Sequence, residues 1–191
     1  MQMQKTTHFI SKKMKFYKIM LQGYDDTCGV MYAPSDWPTP VASDGKEVKN
    51  WQSLRLEHKD GVYCPFHNCV GTANVIDEEM KKVMEQYVND ETQVEFLPVM
   101  AHSEEYGDKQ YYILHFLKIH DVIDTEHSVY ADINDKDSLI KPVFCCEKVK
   151  NLHLFNSRPY VNDVYISEKL YKDISKHGLK KGISFAHISC L

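Results

Sequence analysis

Two stretches of the chain carry clear helix signals, and strand-like runs enclose each one. That arrangement limits the fold more than any other feature of the sequence. In the first, Val75-Ile76 leads into Met80, Val83, Met84 and Tyr87 at helical spacing, with Asp77 placed to cap, and residues 94–97 alternate as a strand. In the second, Tyr165-Ile166 leads into Leu170, Ile174 and His177 with Ser167 as cap. Gly178 then stands where a helix end takes a left-handed residue, and residues 183–187 alternate as a strand. Ile76/Ile166, Glu78/Glu168 and Lys82/Lys172 coincide at an offset of 90 residues, and Phe96/Phe185 at an offset one residue shorter. The expectation is a strand–helix–strand unit used twice, a candidate pseudo-repeat; the alternative is chance likeness between two amphipathic helices.

The other elements read as strands. Phe16, Tyr17, Ile19, Met20 and Leu21 form one run, and Leu54 and Leu56 share a face of another over residues 51–58. Asp60-Gly61 is a tight-turn signal that predicts a hairpin between residues 51–58 and 62–64. Residues 110–120 carry large side chains on both faces, as a strand inside a sheet does, with a helix as the alternative. Only two good helices among clustered strands argue against a doubly wound parallel fold and for an α+β protein with a mostly antiparallel or mixed sheet. Residues 23–50 are punctuated by Gly, Pro and Asp without periodicity, a length of irregular chain that points to an interaction loop. A length of 191 residues fits one domain. Residues 1–13 read as an appended extension and 14–191 as a single α+β domain, with 14–100 and 101–191 as candidate halves.

Charge removes whole classes of function. With 27 Asp+Glu against 23 Lys+Arg, the net charge of −4 lacks the basic footprint of a dedicated nucleic-acid binder. No apolar run nears the roughly 20 residues that a bilayer demands, and none of signal-peptide length follows the N-terminal lysines, so no membrane partner and a cytoplasmic location are expected. On that reading the six cysteines are reduced thiols, mostly in the core. The one metal-like cluster is Cys64, His67 and Cys69. Zinc takes four tetrahedral nitrogen or sulfur ligands, so this group needs at least one more from elsewhere. A small metal-binding or thiol protein centred on these three residues is the alternative function. No serine elbow, phosphate-cradling glycine loop or His-Glu-x-x-His occurs, so neither catalytic residues nor a cofactor are expected and the chain is not read as an enzyme.

The distribution of charge says more than its total. Between Asp121 and Asp137 the chain carries Asp121, Asp124, Glu126, Asp132, Asp135 and Asp137 against Lys136 alone, whereas residues 141–181 carry nine Lys/Arg against four Asp/Glu. A solvated acidic loop is the bland reading; a surface that meets a basic partner is the sharper one. Asp25, Asp26, Asp36 and Trp37, in the irregular segment, have the acidic-plus-aromatic make-up that interfaces favour.

At this point the pattern resembles a known family. Phe96-Leu97-Pro98-Val99, then Tyr111-Tyr112-Ile113-Leu114 running into Asp121-Val122-Ile123-Asp124 and Ser128, are similar to immunity family 11 of the bacterial polymorphic-toxin systems. The closing Val164-Tyr165-Ile166-Ser167-Glu168-Lys169-Leu170 and Gly182-Ile183-Ser184-Phe185 extend the likeness, which spans about residues 70–187 and weakens back to Met14. The resemblance implies an α+β fold without catalytic residues and a role in neutralising a cognate toxin protein by binding it. The proline-rich loop and Cys64–Cys69 lie outside the pattern. A housekeeping interaction domain unrelated to toxins is a third reading.

Overall fold

The structure, a computed structural model, describes residues 14–21, 28–34, 45–69, 73–132 and 134–191. In chain order the first half contributes β1 (Phe16–Leu21), β2 (Val30–Tyr32), β3 (Leu54–Lys59), β4 (Phe66–Cys69), β5 (Ala73–Asp77), α1 (Glu78–Glu85) and β6 (Val94–Ser103). The second contributes β7 (Gly107–Phe116), β8 (Val129–Tyr130), β9 (Leu139–Lys141), β10 (Val143–Phe144), α2 (Cys146–Val149), β11 (Leu154–Phe155), β12 (Val164–Ser167), α3 (Glu168–Lys176) and β13 (Ile183–Cys190). Strand dominates and helices are few, an α+β composition with mixed sheets, as the sequence predicts.

The two helices start where the sequence places them. The Asp77 carboxylate accepts from the Met80 amide at 3.0 Å, and the Ser167 hydroxyl accepts from the Leu170 amide at 3.3 Å, each satisfying a donor that the first turn leaves unpaired. The buried faces of α1 (Met80, Val83, Met84) and α3 (Leu170, Ile174) then meet in one apolar cluster with Ile19, Ile76, Leu114 and Ile166 from the strands. Residues 110–116 fall in β7, which settles strand over helix.

Strands β2-β3-β6-β7-β5-β4 close into a barrel, and β10-β13-β1-β12-β11 form a separate five-stranded sheet. Inside the barrel, Met31, Leu56, Val75, Val99, Tyr111 and Ile113 pack together. The outer face of the five-stranded sheet packs Phe16, Phe144, Phe155 and Tyr165 against Val122, Leu139 and Leu152. In the barrel, β7 lies between β5 and β6 and runs antiparallel to both. In the sheet, β1 lies between β12 and β13, again antiparallel to both. Ile76 faces Tyr112 while Phe96 faces Leu114; Ile166 faces Tyr17 while Phe185 faces Ile19.

Two expectations are corrected. The chain bends at Asp60-Gly61, with Asp60 at φ 60° and Gly61 at φ 146°, but residues 62–64 do not return along β3. Both edges of β3 are occupied, by β2 antiparallel and by β6 parallel, so the chain crosses over and Val62 bridges Cys28 instead. A Cβ on Gly61 would lie 2.6 Å from the Gly29 amide nitrogen, which is the close approach that glycine permits here.

The cysteines are the second correction. Cys28 is bonded to Cys64, with Cα atoms 5.9 Å apart, and Cys146 to Cys190, with Cα atoms 5.0 Å apart. Both separations lie in the usual disulfide range. Four of the six thiols expected to be reduced are therefore cystines, and only Cys69 and Cys145 are not. The fold decides this: β13 brings Cys190 beside the start of α2, and the Val62 crossover brings Cys64 beside Cys28. Gly182 seats against the first disulfide, since a Cβ there would lie 2.5 Å from the Cys28 sulfur.

Candidate functional site

The acidic segment expected from the sequence lies on one excursion of the chain, from Asp121 through the β8–β9 hairpin. Local structure explains why so many carboxylates are tolerated. Asp124 accepts from the Glu126 and His127 amides at 3.1 and 3.2 Å and holds the His127 imidazole at 2.9 Å. Asp132 accepts from the Asn134 amide, and Asp135 from the Asp137 amide, both at 2.9 Å. Asp and Asn build such turns by bonding to the backbone two residues on. Three of the six carboxylates therefore shape the loop. Asp121, Glu126 and Asp137 make no side-chain hydrogen bond or ion pair among the described residues, and all three are exposed.

The hairpin also carries apolar surface that charge counting missed. Ile140 is 66% exposed, and it lines a groove with Met20 and Tyr160, themselves 44% and 40% exposed. The groove holds about 220 Å³. Tyr160 ties it to the acidic tip by donating to the Asp137 carbonyl at 2.6 Å. The signal for this surface was Ile140 itself, an aliphatic residue between Leu139 and Lys141 whose outward register cannot be read before the pairing of β8 with β9 is known. Around it lie both signs of charge, because Lys18 pairs with Asp163 at 2.6 Å and Lys141 is exposed.

Asp25, Asp26, Asp36 and Trp37 lie outside the described residues, so the structure does not relate them to the hairpin.

The Cys64, His67 and Cys69 group does not form a metal centre. The Cys64 sulfur is bonded to Cys28 and so offers no thiolate. The Cys64 amide donates to His67 Nε2 at 3.0 Å, which occupies the nitrogen lone pair that a metal would need. Among the described residues no group of three or more His, Cys, Asp or Glu is arranged to hold a metal ion. His67 is a core histidine instead. Its ring meets His58 edge-to-face at 5.4 Å and Tyr111 at 5.7 Å. Burial first, then the neighbouring His58, pushes its pKa down from 6.5 to about 4, so the ring is neutral near pH 7.

No helix among the described residues is long and apolar enough to cross a membrane. Comparison with known families finds a match over most of the chain. The family described as Immunity protein family (Imm11) matches residues 24–189, a span that takes in the acidic segment, both capped helices and all four disulfide cysteines except Cys190. No curated protein matches the chain.

Proposed function

We infer the function from the family: the chain belongs to the Imm11 immunity protein family, and its reading is a non-catalytic protein that neutralises a cognate bacterial toxin by binding it. The observation that carries this reading is the family match over most of the chain. The build of the hairpin supports a binding role, since it combines exposed carboxylates with an exposed aliphatic anchor beside a groove. An apolar anchor within a charged rim is the usual anatomy of a specific interface. On this reading the contact residues are Asp121, Asp124, Glu126, Asp132, Asp135 and Asp137 on the hairpin excursion, with Asp25, Asp26, Asp36 and Trp37 as a second acidic element. The partner is a toxin with a basic surface, rather than nucleic acid or a membrane, and the protein acts in the cytoplasm. The pairing of β1 with β12 and β13 supports reading residues 14–191 as one domain. The matching register of Ile76 with Ile166 and of Phe96 with Phe185 supports a pseudo-repeat of two strand–helix–strand units.

The test is co-expression with the toxin encoded beside this gene. Cells that survive toxin induction only when this chain is present, and a stoichiometric complex recovered from them, are the expected results. Toxicity unrelieved by the chain, with no complex, overturns the reading.

A further inference from the structure

The last strand of the five-stranded sheet is paired in full on one side only. β1 covers β13 from Ile183 to Ile188, while β10 covers just Ser189 and Cys190 on the opposite side. The chain ahead of β10 does not run on along β13; it turns at Pro142, and β9 pairs with β8 instead. Among the described residues no other strand lies beside Ile183–Ile188 on that side.

Strand alternation tells which backbone groups are left over. In an antiparallel ladder, alternate residues direct their N–H and C=O groups to the same neighbour. The Glu168 amide donates to the Lys15 carbonyl at 2.9 Å, so Lys15 faces β12 while Phe16, Lys18 and Met20 face β13. Their partners Ile188, Ala186 and Ser184 are therefore the residues of β13 that turn to β1. Phe185 and His187 turn the other way, as Leu191 does when its amide donates to the Phe144 carbonyl at 2.9 Å. The Ile183 amide, on that same side, is taken by the Lys180 carbonyl at 3.2 Å. The N–H and C=O groups of Phe185 and His187 have no backbone partner among the described residues. Such a row is a template for another strand, and natural edges usually blunt it with charge, proline or a bulge. Residues 183–186 carry neither charge nor proline, and their register with β1 is unbroken.

The surroundings select the strand that fits. Ser184 and Ala186 are small, and beside Ala186 opens the groove walled by Ile140 and Tyr160, within reach of an aliphatic side chain on an added strand. Lys180 and Lys181 precede β13 and Lys141 lines the groove; all three are exposed, without an ion-pair partner among the described residues. The carboxylate in the groove, Asp163, is already held by Lys18 at 2.6 Å. A second copy of this chain is the wrong occupant. Two-fold pairing of β13 with itself is antiparallel, so Lys180 and Lys181 of each copy would approach Lys141 of the other, and opposed like charges destabilise a ladder. A strand flanked by carboxylates carries the complementary charge.

We propose that the free edge of β13 receives an extended segment of the toxin, which pairs its backbone with Phe185 and His187, seats an aliphatic side chain beside Ile140, and sets Asp or Glu side chains against Lys180, Lys181 and Lys141. The proposal rests on the toxin-binding reading above and deepens it: part of the contact is made by adding a strand to the sheet.

The test is amide hydrogen exchange, resolved by residue with NMR, on the intact oxidised chain alone and in complex with an inactivated form of the toxin encoded beside this gene. Strand addition should slow exchange at Phe185 and His187 at least about tenfold and leave Ser184 and Ala186, already bonded to β1, little changed. Covering a face without pairing would not produce that alternation. His187→Pro removes an outward donor and no bond to β1, a change that edge strands tolerate. It should weaken the complex at least about tenfold, whereas His187→Gln, which keeps the amide, should not. Should the proline variant fail to fold, the exchange pattern of the wild-type complex decides alone. A complex in which Phe185 and His187 exchange as fast as in the free chain overturns the edge proposal, and so does a folded proline variant that binds as tightly as the wild type; in both cases the toxin-binding reading stands. Slow exchange at both amides in the free chain also overturns it, since the edge is then already covered, by a second copy if the chain sediments as a dimer. No complex at all overturns the toxin-binding reading and the edge proposal with it.

Discussion

At the scale of single residues, the six carboxylates between Asp121 and Asp137 do not contribute alike. Asp124, Asp132 and Asp135 each accept a backbone amide of their own turn, so reversing their charge would disturb the loop as well as the field around it. Glu126 and Asp137 are exposed and hold nothing among the described residues. The clean electrostatic test is therefore Glu126→Lys/Asp137→Lys. It should lower the association rate with toxin roughly tenfold at low salt, flatten the salt dependence, and leave the melting temperature unchanged. An unaltered rate would remove the hairpin from the encounter surface. His67 supports a prediction of the opposite kind, about stability alone. Its folded pKa of about 4 lies below the ordinary 6.5, so the unfolded chain binds the proton that the folded one refuses. The contribution of the neutral ring is full above pH 6.5 and is lost as pH falls from there toward about 4. Burial likewise lowers the pKa of His58, against the opposing pull of the Val62 backbone and Asp60, so it adds in the same direction. Unfolding free energies from urea titrations between pH 7.5 and 4.5 should fall steadily, by an amount on the order of 3 kcal/mol in all. His67→Gln keeps an acceptor for the Cys64 amide and should show a shallower slope.

At the scale of elements, the helix starts are the part of the fold most legible in the sequence, because a cap is a local interaction between residues three apart. Asp77 and Ser167 do what their spacing says, yet they are not equal. The Ser167 hydroxyl bonds the Leu170 amide and meets His153 Nδ1 at 2.8 Å, whereas the buried Asp77 carboxylate also pairs at 3.0 Å with Lys109 of β7, whose side chain is 38% exposed. Ser167→Ala should cost about 1 kcal/mol and Asp77→Ala about 1–2 kcal/mol, the second also losing a Lys109 pair that water partly screens. Denaturant titrations with unchanged m-values would check the ranking, and equal costs would show that the Lys109 pair adds nothing. Legibility stops where pairing becomes non-local. Asp60-Gly61 does bend the chain, with both residues at positive φ, but which strand accepts residues 62–64 depends on β2 and β6 having already taken both edges of β3. In the same way, the outward aim of Ile140 depends on strand register. Each was invisible in residue order for that reason.

At the scale of the whole molecule, the two cystines bear on where the chain can work. Cytoplasmic proteins usually keep their thiols reduced, and the expectation of six reduced thiols leaned on that rule. The structure instead joins Cys28 to Cys64 across 36 residues and Cys146 to Cys190 across 44. Loops of that length correspond to about 4 kcal/mol each in the loop-entropy account of the unfolded chain. They reinforce pairings that backbone hydrogen bonds already make: the first joins the segment of Cys28 to that of Cys64, where Val62 bridges Cys28, and the second holds the last strand to α2, where the Cys146 amide donates to the Leu191 carbonyl. Alkylation before reduction, in denaturant, should label two thiols, Cys69 and Cys145, and alkylation after reduction all six. A reductant should then lower the melting temperature of the purified chain by at least about 8 °C, since one bond alone is worth about 2–4 kcal/mol and each kcal/mol moves a chain of this size by about 2–4 °C. Chain drawn from the cytoplasm under rapid acid quench decides between the two demands. Two labelled thiols would mean that the bonds form where the immunity reading places the protein. Six would mean that the fold, with its apolar barrel and paired helices, stands without them, and that the cystines appear only when the protein meets an oxidising compartment.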